Sequence, residues 1–175
     1  MIKIQALKYI LLFLIFISSS LIGKFLAQKY TYRFKELKEL KSVLNIIKSK
    51  IKFTYEPIPE IFSEIIDNKS QYNNNIINIF KLAKEKLQYH TAENAWNEAV
   101  DETINNLNKE DRQALKNLSK SLGQTDIEGQ ISQIDITQNF IDIQLKNALE
   151  EKQKNGKLYY KLGTIIGIAI TIILI

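Results

Sequence analysis

Apolar residues crowd the two ends of this 175-residue chain and fall into stripes between them. From Tyr9 to Gly23 no residue is charged, and Ile10, Leu11, Leu12, Phe13, Leu14, Ile15, Phe16 and Ile17 follow one another without a break. Adding Ala6, Leu7, Phe25, Leu26 and Ala27 brings the segment to the roughly 20 residues that a helix needs to cross a bilayer. Lys8 and Lys24 then lie near the interfaces, where their long side chains can snorkel to water. Leu162 to Ile175 is again uncharged, and Leu158, Tyr159 and Tyr160 extend it to spanning length. The two tyrosines with Lys161 suit an interfacial belt. From Thr164 onward this segment is apolar on every face, unlike the one-sided stripe of a core helix.

Between the ends the period is helical throughout, and no strand-like alternation occurs. Tyr30, Phe34, Leu37, Leu40, Leu44, Ile47 and Ile51 form one stripe on a helix that continues from the first apolar segment. Pro57 and Pro59 stop it, because proline removes a donor and restricts the residue before it. A short helix carrying Ile61, Phe62, Ile65 and Ile66 follows, then a polar loop over 67–75, then a stripe of Ile76, Phe80, Ala83 and Leu87. Thr91 is placed to cap a helix holding Ala92, Ala95, Trp96, Ala99, Val100 and Ile104, with Trp96 as its bulky anchor. Asn108 caps the next helix, with Glu110 and Asp111 at its positive dipole end. Leu115, Leu118 and Leu122 are its buried face, and Gly123 ends it in a left-handed conformation. Asp126 caps the last polar helix. There Ile127, Ile131, Ile134, Gln138, Ile141, Leu145 and Ala148 step by four and three, close to a heptad seam, and the helix runs on through Gly156. The expected fold is therefore all-α: a bundle of about six helices over residues 24–157, flanked by transmembrane helices at 1–23 and 158–175.

A cleaved signal peptide is the rival reading of the first segment. Lys3, Lys8, a short apolar core and Ser18, Ser19 and Ser20 suit one. The unbroken helix that follows and the second apolar segment favour a retained anchor. Charge sets the orientation. Lys24, Lys29, Arg33, Lys35, Lys38 and Lys41, with Lys146, Lys152, Lys154, Lys157 and Lys161, flank the spans on the inner side, against Lys3 and Lys8 before the first. By the positive-inside rule the middle domain is cytoplasmic and both termini lie outside. The net charge of +5 is unevenly laid out, with nine Lys/Arg against two Glu over residues 24–52. Beside a lipid-facing helix, that excess points to anionic headgroups and not to nucleic acid.

Candidate chemistry is sparse. The chain has no cysteine, which excludes disulfides, thiolate metal sites and thiol nucleophiles. His90 is its single histidine, so no histidine-based metal cluster or catalytic dyad forms within one chain. No phosphate-cradling G-x-x-x-x-G-K-[ST] loop is present. Asp101/Glu102 and Glu110/Asp111 read as solvated or dipole-matching helix carboxylates. No catalytic, cofactor or metal residue is assigned, and an enzyme ranks last among the functions. Gly163 and Gly167 form a G-x-x-x-G pair, continued by Thr171, that lets a helix pack closely in lipid against the first span or a partner.

Taken together, these features resemble the stage III sporulation protein AB family over nearly the whole chain. The sharpest stretch runs from Leu118 through Leu122, Gly123 and Asp126 to Gln130, similar to the family's apolar-x-x-x-Leu-Gly-x-x-Asp-x-x-x-Gln pattern. Pro57, within Tyr55–Glu60, resembles its turn before the second helix, and Trp96, within Glu93–Trp96, its Ala-Trp helix; Pro59 and the Asn-rich loop depart from the pattern. Leu122, Gly123 and Asp126 read physically as a tight helix corner, one that a partner could also recognise. The resemblance implies a fold like the cytoplasmic helical domain of type II secretion F platform proteins, located in the mother-cell membrane. It also implies a non-enzymatic scaffold in the channel that links mother cell and forespore. The implied partners are a secretion-type ATPase (the AA protein) and other stage III A membrane subunits, with self-association into a homo-oligomer a further expectation. A general membrane-tethered adaptor or secretion/pilus assembly factor is the alternative, and a secreted protein with a C-terminal anchor a third.

Overall fold

Leu37, Leu40, Leu44, Ile47 and Ile51, the stripe expected of the first long helix, are all withdrawn from solvent. They form the spine on which the shorter helices assemble. The computed structural model describes residues 2–68, 74–121 and 125–174, apart from the side chains of residues 2–4, 6 and 74. Among the described residues there are seven α-helices and no strand. They are α1 (Ile2–Ser49), α2 (Ile58–Asp67), α3 (Asn74–Lys86), α4 (Ala92–Glu102), α5 (Lys109–Ser119), α6 (Ile127–Glu151) and α7 (Lys157–Leu174). Short π-helical turns, Lys50–Thr54 and Lys152–Gly156, follow α1 and α6. The chain divides into two compact units, Met1–Tyr32 with Ala148–Ile175, and Arg33–Asn147.

In the Arg33–Asn147 unit, α1 and α6 run antiparallel, and Lys41 and Lys48 of α1 form ion pairs with Asp142 and Asp135 of α6. Ile134 and Ile141 of the expected seam are buried, whereas Ile127 at its start is 38% exposed. Successive short helices pack on one another, α2 on α3, α3 on α4 and α4 on α5. Their common centre is an aromatic cluster. Phe62, Phe80 and Trp96 have ring centroids 5.3–5.6 Å apart, a separation at which edge-to-face and tilted pairs attract beyond simple burial.

The caps explain most of the boundaries. Thr91 Oγ1 accepts from Asn94 N–H, opening α4. Asn108 and Asp111 exchange side-chain and backbone hydrogen bonds in a capping box that opens α5. Asp126 Oδ1 accepts from Gly129 N–H at 2.9 Å, opening α6. Pro57 is extended (φ −62°, ψ 149°) and stands just before α2, so the prolines start this helix as well as ending the one before it.

Two expectations need correction. Ile104 lies outside α4, which ends at Glu102, and is 89% exposed. Arg112 of α5 donates to the carbonyls of Val100 and Thr103 and to Asn105 Oδ1, drawing the chain out of the helix before Ile104 is reached. Asp111, read from sequence as a solvated or dipole-matching carboxylate of the first turn, keeps its place in that turn but is 2% exposed, because Arg33 of α1 reaches it. The expected corner at Leu122 and Gly123 lies outside the described residues.

Candidate interaction surfaces

In the unit formed by Met1–Tyr32 and Ala148–Ile175, α1 and α7 pass each other closely where glycine faces glycine. A Cβ built on Gly163 would lie 2.7 Å from Gly23 Cα and 2.9 Å from Ser19 O. No larger side chain fits without the backbones separating. Gly167 also faces α1, and a Cβ there would be 3.1 Å from Phe16 Cδ2. Small residues permit the approach, and hydroxyls then fasten it. Ser19 Oγ donates to Gly163 O at 2.8 Å, and the hydroxyls of Ser20 and Thr164 are 3.4 Å apart. Tyr30 and Tyr159 stack with centroids 5.9 Å apart. Both glycines of the G-x-x-x-G pair therefore meet α1. Gly23, their counterpart, stands in a row of small residues, Ser19, Gly23 and Ala27, spaced by four, which was the available signal for the other side of the contact.

Around this seam the apolar side chains point outward: Phe13 is 63% exposed, Phe25 75% and Ile172 67%. The helical stretches Leu7–Thr54 and Ile127–Leu174 are long and apolar enough to cross a membrane, with mean hydropathies of 2.2 and 1.5 over their most apolar windows, of which only 11% is buried. A core helix would show the opposite, a high buried share. Lys24, Lys29, Lys154, Lys157 and Lys161 of the same unit are exposed.

The Arg33–Asn147 unit carries a groove of about 360 Å³ whose lining includes Ile51, Tyr55, Pro57, Leu87, Ile127 and Gln130. Pro57 and Gln130, 73 residues apart in sequence, thus line one surface. Tyr55 sits in the left-handed region (φ 53°, ψ 29°), the only described non-glycine residue with positive φ. For an L-residue this conformation costs about 1 kcal/mol or more. It ends the π-helical turn as a glycine would, while the tyrosine ring is left 70% exposed. Gln130 Nε2 donates to Thr125 O at 3.0 Å, which fixes the entry to α6 beside the groove. Trp96 plays a different part. It is 2% exposed and its Nε1–H donates to Leu115 O at 2.7 Å, so it holds α4 to α5 within the core.

Sequence reasoning missed a buried polar layer on α1. Arg33 Nε donates to Asp111 Oδ2 at 2.8 Å, and its Nη2 donates to Asp111 Oδ1 and to Gln144 Oε1. One turn on, Glu36 has no solvent exposure. It accepts from Asn75 Nδ2 at 2.8 Å, Asn106 N–H at 2.7 Å and Asn106 Nδ2 at 2.9 Å. Satisfied in this way, these charges pin α3, the 103–108 connection, α5 and α6 to one helix. Their spacing of three residues on the apolar side of α1, next to Leu37 and Leu40, was the available signal.

Together these features define an all-helical protein with a helical unit and a closely paired set of long apolar helices. The family model described as Stage III sporulation protein AB matches residues 8–175, and the chain belongs to that family. A solved structure described as "Stage III sporulation protein AB (SpoIIIAB)" superposes with a TM-score of 0.62 at 18% identity, covering 70% of this chain and 98% of that one. At that identity the likeness is one of fold. No curated protein matches the chain in sequence.

Proposed function

We propose that this protein is a non-enzymatic platform subunit of the sporulation channel between mother cell and forespore. In this reading α1 and α7 span the mother-cell membrane, and Arg33–Asn147 stands in the cytoplasm as the docking body for a secretion-type ATPase. The observation that carries it is the Gly23–Gly163 contact. Two apolar helices that match at small residues and exchange hydroxyl hydrogen bonds, while turning their large side chains outward, suit lipid as solvent. The exposed lysines of the same unit suit anionic headgroups. Family membership supports the sporulation context, and the groove in the helical unit supplies a surface for a protein partner.

The test is co-purification of the full-length chain, extracted from sporulating cells, with the sporulation ATPase, alongside the spore yield of a deletion strain. The reading predicts that the ATPase is retained and that the deletion abolishes sporulation. Wild-type spore yield, or no retention from any sporulating extract, would overturn it. Expression confined to vegetative growth would favour a general assembly factor instead.

A further inference from the structure

We infer that the π-helical turn Lys152–Gly156 holds one residue more than an α-turn, and that this surplus residue sets the rotational phase of α7, bringing Gly163 and Gly167 onto α1 in place of Leu162 and Ile166. The phase can be counted from Ala148, which is 1% exposed and ends the heptad seam of α6. Ile166 stands 18 residues beyond it (148 to 166), or five α-turns of about 3.6 residues each. An unbroken α-helix would therefore put Ile166 on the face of Ala148, with Leu162 one turn before it. Gly167 would lie one residue further round, about 100° away.

The observed faces are the other way about. Gly163 and Gly167 are buried, whereas Leu162 is 39% exposed and Ile166 49%. Gly156 already follows the shifted phase, because a Cβ there would face Ala27 O at 3.8 Å. In an unbroken helix that place would fall to Asn155. On the other side of the seam α1 makes no such correction. Leu12, Phe16, Ser19, Gly23, Ala27 and Tyr30 follow one another at steps of three and four in a helix without interruption. The adjustment thus lies between α6 and α7, where the π-helical turn is. Bonds from i to i+5 give such a turn its extra residue, and turns of this kind are rare.

The shift decides whether the seam can close. With Leu162 in the place of Gly163, a whole side chain would stand where a Cβ alone comes 2.7 Å from Gly23 Cα. The hydrogen bond from Ser19 to Gly163 O and the approach of Ser20 to Thr164 would be lost with it. In the observed phase Leu162, Ile166 and Ile170 line an outer apolar groove with Leu14 and Ile22 of α1.

Removing and adding one residue test the inference from opposite sides. Gln153 and Lys154 are exposed, so either serves as the residue to remove. Full-length Ser20→Cys/Thr164→Cys protein in phosphatidylcholine nanodiscs is mildly oxidised, and its intramolecular disulfide is quantified with Gln153 deleted or with one alanine inserted after Gln153. Deletion should close the turn into α-helix and keep Gly163 on Gly23, so the cross-link forms at the parent's yield. Adding Gly163→Val to the deletion should then abolish it, as the same glycine contact requires. Insertion supplies a second surplus residue, turns the glycines about 100° away from α1 and should lower the yield at least about tenfold. A plain α-helix would tolerate neither change, and a yielding linker both. Loss of the cross-link on deleting Gln153, with deletion of Lys154 no better, would overturn the inference whether rotation or misfolding causes it, since no residue would then be surplus. A cross-link that survives the insertion, or survives Gly163→Val in the deletion variant, would overturn it as well.

Discussion

Gly23 and Gly163 meet backbone to backbone, so that a Cβ added to either would stand 2.7 Å from the other's Cα. Valine at position 163 must therefore push α1 and α7 apart, an overpacking cost of about 1–3 kcal/mol. The neighbouring Ser20 and Thr164 hydroxyls, 3.4 Å apart, provide the readout, and a chain with no native cysteine provides a clean background. A Ser20→Cys/Thr164→Cys protein is expected to form an intramolecular disulfide on mild oxidation. Adding Gly163→Val should abolish it. An undiminished cross-link would mean that the glycine contact does not set the helix spacing.

Arg33 and Asp111 should behave as a buried pair, because both side chains are almost fully enclosed (6% and 1% exposed). Removing one partner strands the other charge, which costs about 3–5 kcal/mol. Asp111→Ala also removes half of the α5 capping box. Thermal or urea unfolding of the full chain in detergent should place Asp111→Ala well below wild type and the double variant Arg33→Met/Asp111→Leu above Asp111→Ala. A shift for Asp111→Ala within about 1 kcal/mol, as for a surface pair, would contradict the buried-layer account.

Lys86 joins α3 to α4 through Glu98 and Glu102. Its hydrogen bond holds the Glu98 carboxyl below the ordinary carboxylate range, and hydrogen bonds to Glu98 and Glu102 raise the Lys86 ammonium. A lowered acid stabilises the fold above its unfolded pKa, and the effect fades as pH falls through the folded value. A raised base stabilises below its unfolded pKa and fades as pH rises through the folded value. The contribution is therefore full at neutral pH and lost toward both extremes. Melting temperatures of wild type and Lys86→Met should differ most near neutral pH and converge in acid. A difference that persists below the carboxylate range would assign the stabilisation to packing of the lysine stem.

Much of the fold was legible because its signals are local. Thr91, Asn108 and Asp126 act as the caps their positions implied, and the Leu37–Ile51 stripe is buried as its spacing required. Pairings across the chain were not legible. Asp111 is helix-terminal by sequence, and only the approach of Arg33, 78 residues away, shows it to be buried. Ile104 continues an apolar period, but Arg112 donates to the Val100 carbonyl, the one that Ile104 N–H would need for the helix to reach it. For the candidate surfaces, Pro57 and Gln130 were singled out separately, and tertiary structure puts both on the groove. Gly163 and Gly167 announced a close contact without naming Gly23.

The most direct measurement is the sidedness of the helical unit. Gln113, exposed on α5, is replaced by cysteine and treated with a membrane-impermeant maleimide in intact sporulating cells. The account predicts no labelling until the mother-cell membrane is permeabilised, and full labelling afterwards. Labelling in intact cells, or recovery of this unit as a processed product outside the cell, would contradict it.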